Sequence, residues 1–316
     1  MEPLMDAVDR NLLKSELTRE RFLRNTVNGN KELYIFKGDE APHLMNEVGR
    51  LREISFREAG GGTGKTIDVD DYDFGEGGFL QLIVWNPELE EIVGGYRFVD
   101  CSILKVDECF QVHTPTAKLF NYSEKFAKDY LPYTIELGRS FVQPEYQPTK
   151  NIRKGMYSLD NLWDGLGGIV VEYPKAKYFF GKVTMYGHFE PHARDLILYF
   201  FNLYFPDKDQ LVRPHSPLLY KTDEALLRES FQGGSYEADF KHLVHLVRNY
   251  NEAVPPLFNA YMNLSSTMRT FGTALNASFG DVEETGIMVT INDIHAAKRE
   301  RYIYSYIKGE VPKHLL

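Results

Sequence analysis

The chain has 316 residues, 43% of them hydrophobic and 26% charged, with a formal net charge of −9. That balance fills a core and opposes a nucleic-acid partner, which needs a cationic surface. Two cysteines, Cys101 and Cys109, are too few for a disulfide scaffold or a structural zinc site and read as reduced core residues.

No apolar run approaches the roughly 18 residues of a membrane span, and charges stud Met1 to Arg24 where a secretion signal would carry an apolar core, so a cytoplasmic protein is expected. Residues 11–24 favour helix, Val27-Asn-Gly-Asn30 breaks it, and 33–36 reads as a strand. A second helix over 43–58 carries Leu44, Val48 and Leu51 at helical spacing. A glycine-rich stretch, 60–64, and an acidic one, 68–73, then form a long connection of the kind that carries function. Strands over 79–85 and 91–99 flank the turn Asn86-Pro87, and a further strand spans 134–142. A helix over 159–173, a strand over 178–185 and an apolar helix over 193–205 follow; 207–250 is polar and unassigned, and 285–292 alternates as a late strand. This order indicates one elaborated α/β domain around a mixed sheet.

Several familiar motifs fail on inspection. Ala59-Gly-Gly-Gly-Thr-Gly-Lys65-Thr66 nearly spells a P-loop but lacks the leading glycine and follows a helix, so it reads as a flexible loop beside a substrate entrance. Asp68 to Asp73 lacks the glycine and the glutamate of a calcium loop, and no metal site is expected. No HxxxD, HExxH or Gly-x-Ser-x-Gly arrangement occurs, so covalent catalysis has no evident nucleophile.

What remains is a set of charges in apolar surroundings. Arg52, on a helix one turn before Phe56, and Arg97, between Tyr96 and Phe98 on a strand, are charges in apolar patterns and need buried partners. Glu136 and Arg139 stand three apart on a strand and face opposite ways unless a bulge intervenes; Gly138 makes one cheap.

The series Leu51-Arg52-x-x-x-Phe56, Asp70-x-Tyr72-Asp73, Gly95-Tyr-Arg97-Phe and Glu136-Leu-Gly-Arg139-Ser-Phe-Val resembles the acyl-homoserine-lactone synthases and, more closely, the bacterial ornithine- and glycine-lipid N-acyltransferases, branches of the GNAT fold. Val254-Pro-Pro-Leu-Phe-Asn-Ala-Tyr-Met-Asn-Leu and Phe279-Gly-Asp-Val resemble the C-terminal part of the lipid-forming branch. The resemblance implies a GNAT-like, mostly antiparallel sheet flanked by helices, with a core over 1–206 and an extension over 207–316 completing the same domain. It places Glu136, Arg139, Phe141 and Val142 at the catalytic centre, the amides near the last two serving as oxyanion donors. Arg52, Phe56, Asp70, Asp73 and Arg97 would shape the amine pocket.

Gln143 to Gly155 stands where GNAT enzymes bind the coenzyme A pyrophosphate, but the second glycine of that loop is absent. Lys150, Arg153, Lys154 and Gly155 would therefore meet a phosphopantetheine phosphodiester, which favours acyl carrier protein over coenzyme A as donor. No tryptophan follows Phe56 as it usually does in the lactone synthases, which weakens S-adenosylmethionine as substrate. The expected activity is transfer of a long-chain, 3-hydroxylated acyl group from acyl carrier protein, or acyl-CoA, to an amino acid such as glycine or ornithine. No permanent cofactor is expected, and peripheral membrane contact is. Two alternatives stand beside this one: a non-catalytic, haemolysin-like lipid-binding protein, and a coenzyme A-dependent acetyltransferase acting on a small amine.

Overall fold

The computed structural model describes residues 1–231 and 233–315. The chain forms two compact units: Met1–Ile103, Ile135–Ala176 and His295–Leu316 make the first, and Leu104–Thr134 with Lys177–Ile294 the second. In chain order the described strands are β1 (Phe22–Asn25), β2 (Glu32–Phe36), β3 (Leu80–Asn86), β4 (Glu91–Asp100), β5 (Phe120–Tyr122), β6 (Thr134–Val142), β7 (Tyr178–Met185), β8 (Val212–Pro214), β9 (Arg269–Asn276) and β10 (Val282–Thr290). The α-helices are α1 (Arg10–Glu16), α2 (Pro42–Glu58), α3 (Ile152–Gly155), α4 (Ser158–Glu172), α5 (Pro191–Tyr204), α6 (Glu224–Ser230), α7 (Tyr236–Arg248), α8 (Pro256–Met262) and α9 (Ala296–Tyr302).

In the first unit β1, β2, β3, β4 and β6 pair antiparallel in that order. Gln81 and Leu82 are successive residues of β3 and so point to opposite faces. Gln81 meets Arg52 of α2, whereas the Leu82 side chain lies 2.8 Å from where a Cβ on Gly165 of α4 would stand; the two helices therefore cover opposite faces. Pro42 opens α2, and its apolar stripe of Leu44, Val48 and Leu51 is buried as the spacing predicts. Glycines let α4 approach its neighbours: a Cβ on Gly167 would fall 1.9 Å from the Tyr302 carbonyl oxygen at the end of α9.

The helix predicted over 11–24 is corrected. Only α1 is helical, and β1 occupies the later half, because Leu23 is buried against Gly168 of α4 and Arg24 donates to the Tyr302 carbonyl at 2.9 Å. The late strand runs over 282–290 instead of 285–292.

In the second unit β7, β10 and β9 pair antiparallel in that order, and β5 pairs with β8. The unassigned stretch 207–250 contains β8, α6 and α7. Aromatic rings join α7 to α5: Phe200 lies 5.6 Å from Tyr236 and 6.0 Å from Phe240 between centroids, and Tyr204 Oη donates to Asp239 at 2.5 Å. Cys101 is buried as expected, but Cys109 is exposed, held in a turn by the Asp107 carboxylate, which accepts its amide N–H at 2.8 Å. Antiparallel ladders, one isolated parallel bridge between Pro206 and Thr270, and flanking helices make this an α/β fold of the mostly antiparallel kind.

Candidate active site

The first unit gathers every residue singled out above as a candidate. On the α2 face of its sheet, Gln81 of β3 stands opposite Arg97 of β4, and Arg97 opposite Gly138 of β6. The cross-strand partners of one face thus form a row, which Glu136 extends two residues earlier, opposite Val99.

Two of the three arginines in this row and above it are fully buried, and the aspartates of the 68–73 loop answer them. Asp73 Oδ1 accepts from Arg52 Nη1 at 3.2 Å and Gln81 Nε2 at 3.0 Å and lies 3.0 Å from Arg97 Nη1. Its other oxygen accepts the Asp70 amide at 3.1 Å, and Asp70 Oδ1 accepts the Tyr72 amide in return, closing a capping box. Arg97 grips Asp70 with both terminal nitrogens, at 2.6 and 3.1 Å. Burial alone would raise the Asp73 pKa, but Arg52 and Arg97 outweigh it and hold the carboxyl down at about 2. Burial likewise disfavours the Arg97 cation, and Asp73 and Asp70 more than restore it. For Arg52 burial wins over Asp73 and lowers its pKa. Phe56 is buried one turn along α2 from Arg52.

The expected bulge is present. Between the pairs Gly95–Phe141 and Arg97–Gly138, β6 spends one residue more than β4, so Arg139 and Ser140 together oppose Tyr96. Gly138 is not the strained residue. Arg139 takes the left-handed conformation at φ 53°, costing about 1–2 kcal/mol for a side chain of this kind. Its guanidinium folds back onto the loop, 2.8 Å from Asp68 Oδ2 and 3.7 Å from Asp70 Oδ2. Burial raises the Asp68 pKa, with Arg139 opposing. A single arginine therefore fastens the acidic loop to the bulge.

Glu136 is buried two residues before Gly138, and the Cys101 thiol lies near it; burial first and the Glu136 charge second push that thiol's pKa well up. Phe141 is buried and Val142 half-buried, opposite Gly95 and Gly94. A Cβ on Gly94 would fall 2.4 Å from the Phe141 carbonyl oxygen, so β4 needs glycine there to approach β6.

Two flanking loops take their own partners. The 60–66 loop is pinned, in place of the flexible entrance loop that its glycines suggest: the buried Glu53 carboxylate accepts from Thr63 N and Oγ1 and from Gly64 N at 2.7–3.0 Å, and Met1 to Met5 hydrogen-bond along it. In the 143–155 segment, Lys150 pairs with Glu58 at 2.7 Å, and Lys154 reaches Glu91 at 3.6 Å and lies over the Tyr146 ring. Arg153 is exposed. Gly155 is fixed by packing, since a Cβ there would fall 2.5 Å from Pro148 N. Tyr157 leaves the start of α4 without a side-chain cap.

Sequence reasoning missed Asp68, Gln81 and Glu53. A lone Gln within the apolar run 79–85 was a readable signal for a buried polar contact; Asp68 and Glu53 carried none beyond their charge.

Residues 51–155, which contain this whole network, match the family described as Acetyltransferase (GNAT) domain, so the unit is built as an acyltransferase. Two relatives named Glycine N(alpha)-acyltransferase, from Phocaeicola vulgatus and Bacteroides thetaiotaomicron, are each 50% identical to this chain over 98% of its length and over 94% and 92% of their own. The chain belongs to this family of GNAT N-acyltransferases and is an acyltransferase itself. No solved structure matches it.

Proposed function

We propose that the protein transfers a long-chain, 3-hydroxylated acyl group from the phosphopantetheine arm of acyl carrier protein to the amine of glycine, yielding an N-acyl amino acid lipid. The observation that carries this reading is the Glu136 carboxylate, buried beside a strand bulge that Arg139 ties to the acidic loop. The name carried by the two relatives favours glycine over ornithine as acceptor.

The amine nitrogen attacks the thioester carbon, the C–S bond breaks, and the thiolate leaves. Glu136 takes the proton that the amine must lose, directly or through a water, and burial suits it to that role. Asp70, the partly exposed member of the acidic pair, holds the incoming ammonium, while Asp73, Arg52 and Arg97 keep it in place and Phe56 walls the pocket. Amides near Phe141 and Val142 stabilise the tetrahedral oxyanion. Arg153, joined by Lys150 and Lys154 on their release from Glu58 and Glu91, meets the phosphodiester ahead of α4, with Gly155 packed against the 146–148 backbone; a single phosphate suits this segment better than the pyrophosphate of acyl-CoA. Every residue given a role here lies in the first unit.

The test is mass spectrometry of purified protein supplied with a 3-hydroxyacyl group on acyl carrier protein or on coenzyme A, and with glycine or ornithine. N-acylglycine from the carrier-bound donor is expected. Acylation of ornithine in preference to glycine would overturn the acceptor, product from coenzyme A alone would overturn the donor, and absence of any amide would overturn the reading. Lysis of cells by the protein without any donor would favour a haemolysin-like role instead.

A further inference from the structure

The start of α4 shows a pattern turned inside out. From Ile152 the chain runs through α3, Met156 and Tyr157 into α4 with only a short break in helical geometry. The residues this segment buries over 155–165 are Gly155, Ser158, Asn161, Leu162, Asp164 and Gly165, all small or polar except Leu162. Those it exposes are Ile152 at 71%, Met156 at 57%, Tyr157 at 39% and Leu159 at 36%. Val27, 45% exposed, belongs to the β1–β2 turn that lies against them: a Cβ on Gly29 would sit 3.5 Å from the Tyr157 ring, and the Asn161 amide, oriented to satisfy its neighbours, donates to the Asn28 carbonyl at 2.9 Å.

Single exposed apolar residues are ordinary, but a contiguous group on a segment whose inner positions are polar forgoes burial that the same composition could have had. Ile152 and Met156 stand four apart, on one side of the helical path. Arg153 stands between them, exposed and in no ion pair among the described residues. Tyr157 adds an amphipathic ring of the kind that sits at a membrane interface. Apolar tips with an adjacent cation match an interfacial anchor, in which side chains enter the acyl boundary while Arg153, when no donor phosphodiester occupies it, faces headgroup phosphate.

We infer that Ile152, Met156, Tyr157 and Leu159, with Val27 beside them, dock the protein on an anionic phospholipid bilayer. An acidic carrier protein is the other occupant with suitable charge, and the geometry favours lipid. Lys150 and Lys154 are already engaged by Glu58 and Glu91, so among the described residues of 150–159 one unpaired cation, Arg153, stands beside the large apolar side chains. No described helix is long and apolar enough to cross a membrane, so the contact is peripheral. Its purpose rests on the acyl-transfer reading, since an N-acylated amino acid is an amphiphile that leaves the enzyme most easily into a bilayer; the docking itself does not.

The experiment is flotation of the full chain with vesicles of phosphatidylglycerol and phosphatidylcholine, without substrate. Wild type is expected to float, to lose at most a few-fold in binding on raising salt from 50 to ~300 mM, and to bind at least about tenfold more weakly as the I152S/M156S variant, a modest loss for two inserted apolar side chains. Both side chains are exposed, so circular dichroism and the thermal unfolding midpoint are expected unchanged. Wild type that stays with the free protein, or a double variant that floats like wild type, overturns the proposal. So does retention of an acidic carrier protein by wild type and its loss in the variant without any vesicle binding. Flotation without turnover would instead sink the acyl-transfer reading and leave this one standing.

Discussion

Asp73→Asn removes one charge from the centre of the arginine network and changes little in shape. Asp73 Oδ1 faces donors on Arg52, Arg97 and Gln81, and its other oxygen faces the Asp70 amide, so an amide at this position must turn its NH2 toward an N–H whichever way it is placed. The cheaper orientation gives up the cap, costing about 0.5–2 kcal/mol. The lost charge weighs more. A carboxyl held at about 2 against its ordinary 3.8 contributes ~2.5 kcal/mol at neutral pH, and its removal leaves two buried guanidiniums facing each other, for a total of about 3–5 kcal/mol. The sign follows from the depressed pKa: the contribution is present above pH ~4 and fades as pH falls toward 2. Urea denaturation at pH 7 and at pH 3 measures both. A loss under ~1 kcal/mol at pH 7, or a loss as large at pH 3, would refute the reasoning that this ion cluster holds the loop.

Further outcomes follow from the same geometry. Arg139→Gly relieves the left-handed backbone strain but cuts the loop from the bulge; stability is expected to change by less than about 1 kcal/mol while kcat/KM falls on the order of tenfold, and unchanged kinetics would remove the clasp from function. Asp164→Asn is expected to stabilise above pH 6. Burial raises this carboxyl to about 6 against the pull of the Val27 amide, and its Oδ1 has no hydrogen-bond partner among the described residues, so the wild-type fold loses stability as pH rises from ~4 to 6. The variant should gain ~1–3 kcal/mol at pH 7.5 and none at pH 4, and an equal gain at both would contradict the assignment. Gly155→Ala drives a Cβ into the 146–148 backbone and is expected to lower stability by about 1–3 kcal/mol in thermal unfolding, with or without acyl donor present.

Many elements of both units were legible because their signals are local. The helix over 43–58 and the strands over 134–142 and 178–185 have regular spacing and clear ends, and the bulge followed from the need to bring Glu136 and Arg139 together beside a glycine. The edge strand Phe22–Asn25 was not legible, since four residues with two charged or amide side chains look helical until Leu23 finds Gly168 across the fold. The strand Arg269–Asn276 was missed for a similar reason, its Gly272 sitting at φ 80° against the Pro214 ring. At the site, the pairing of Arg52 and Arg97 with aspartates could be anticipated from the cost of buried charge. Which aspartate serves which arginine, and that Gln81 and Asp68 complete the set, depends on cross-strand register that no local pattern encodes.

Glu136→Gln tests the central claim most directly, by comparing turnover of purified variant and wild type with glycine and a carrier-bound acyl donor across pH 6.5 to 9. The expected result is a folded protein whose kcat is lowered by about 10²- to 10⁴-fold near pH 7, with the deficit shrinking as rising pH delivers the amine already deprotonated. Turnover equal to wild type at pH 7, or a deficit that does not change with pH, would contradict Glu136 as the group that takes the amine proton.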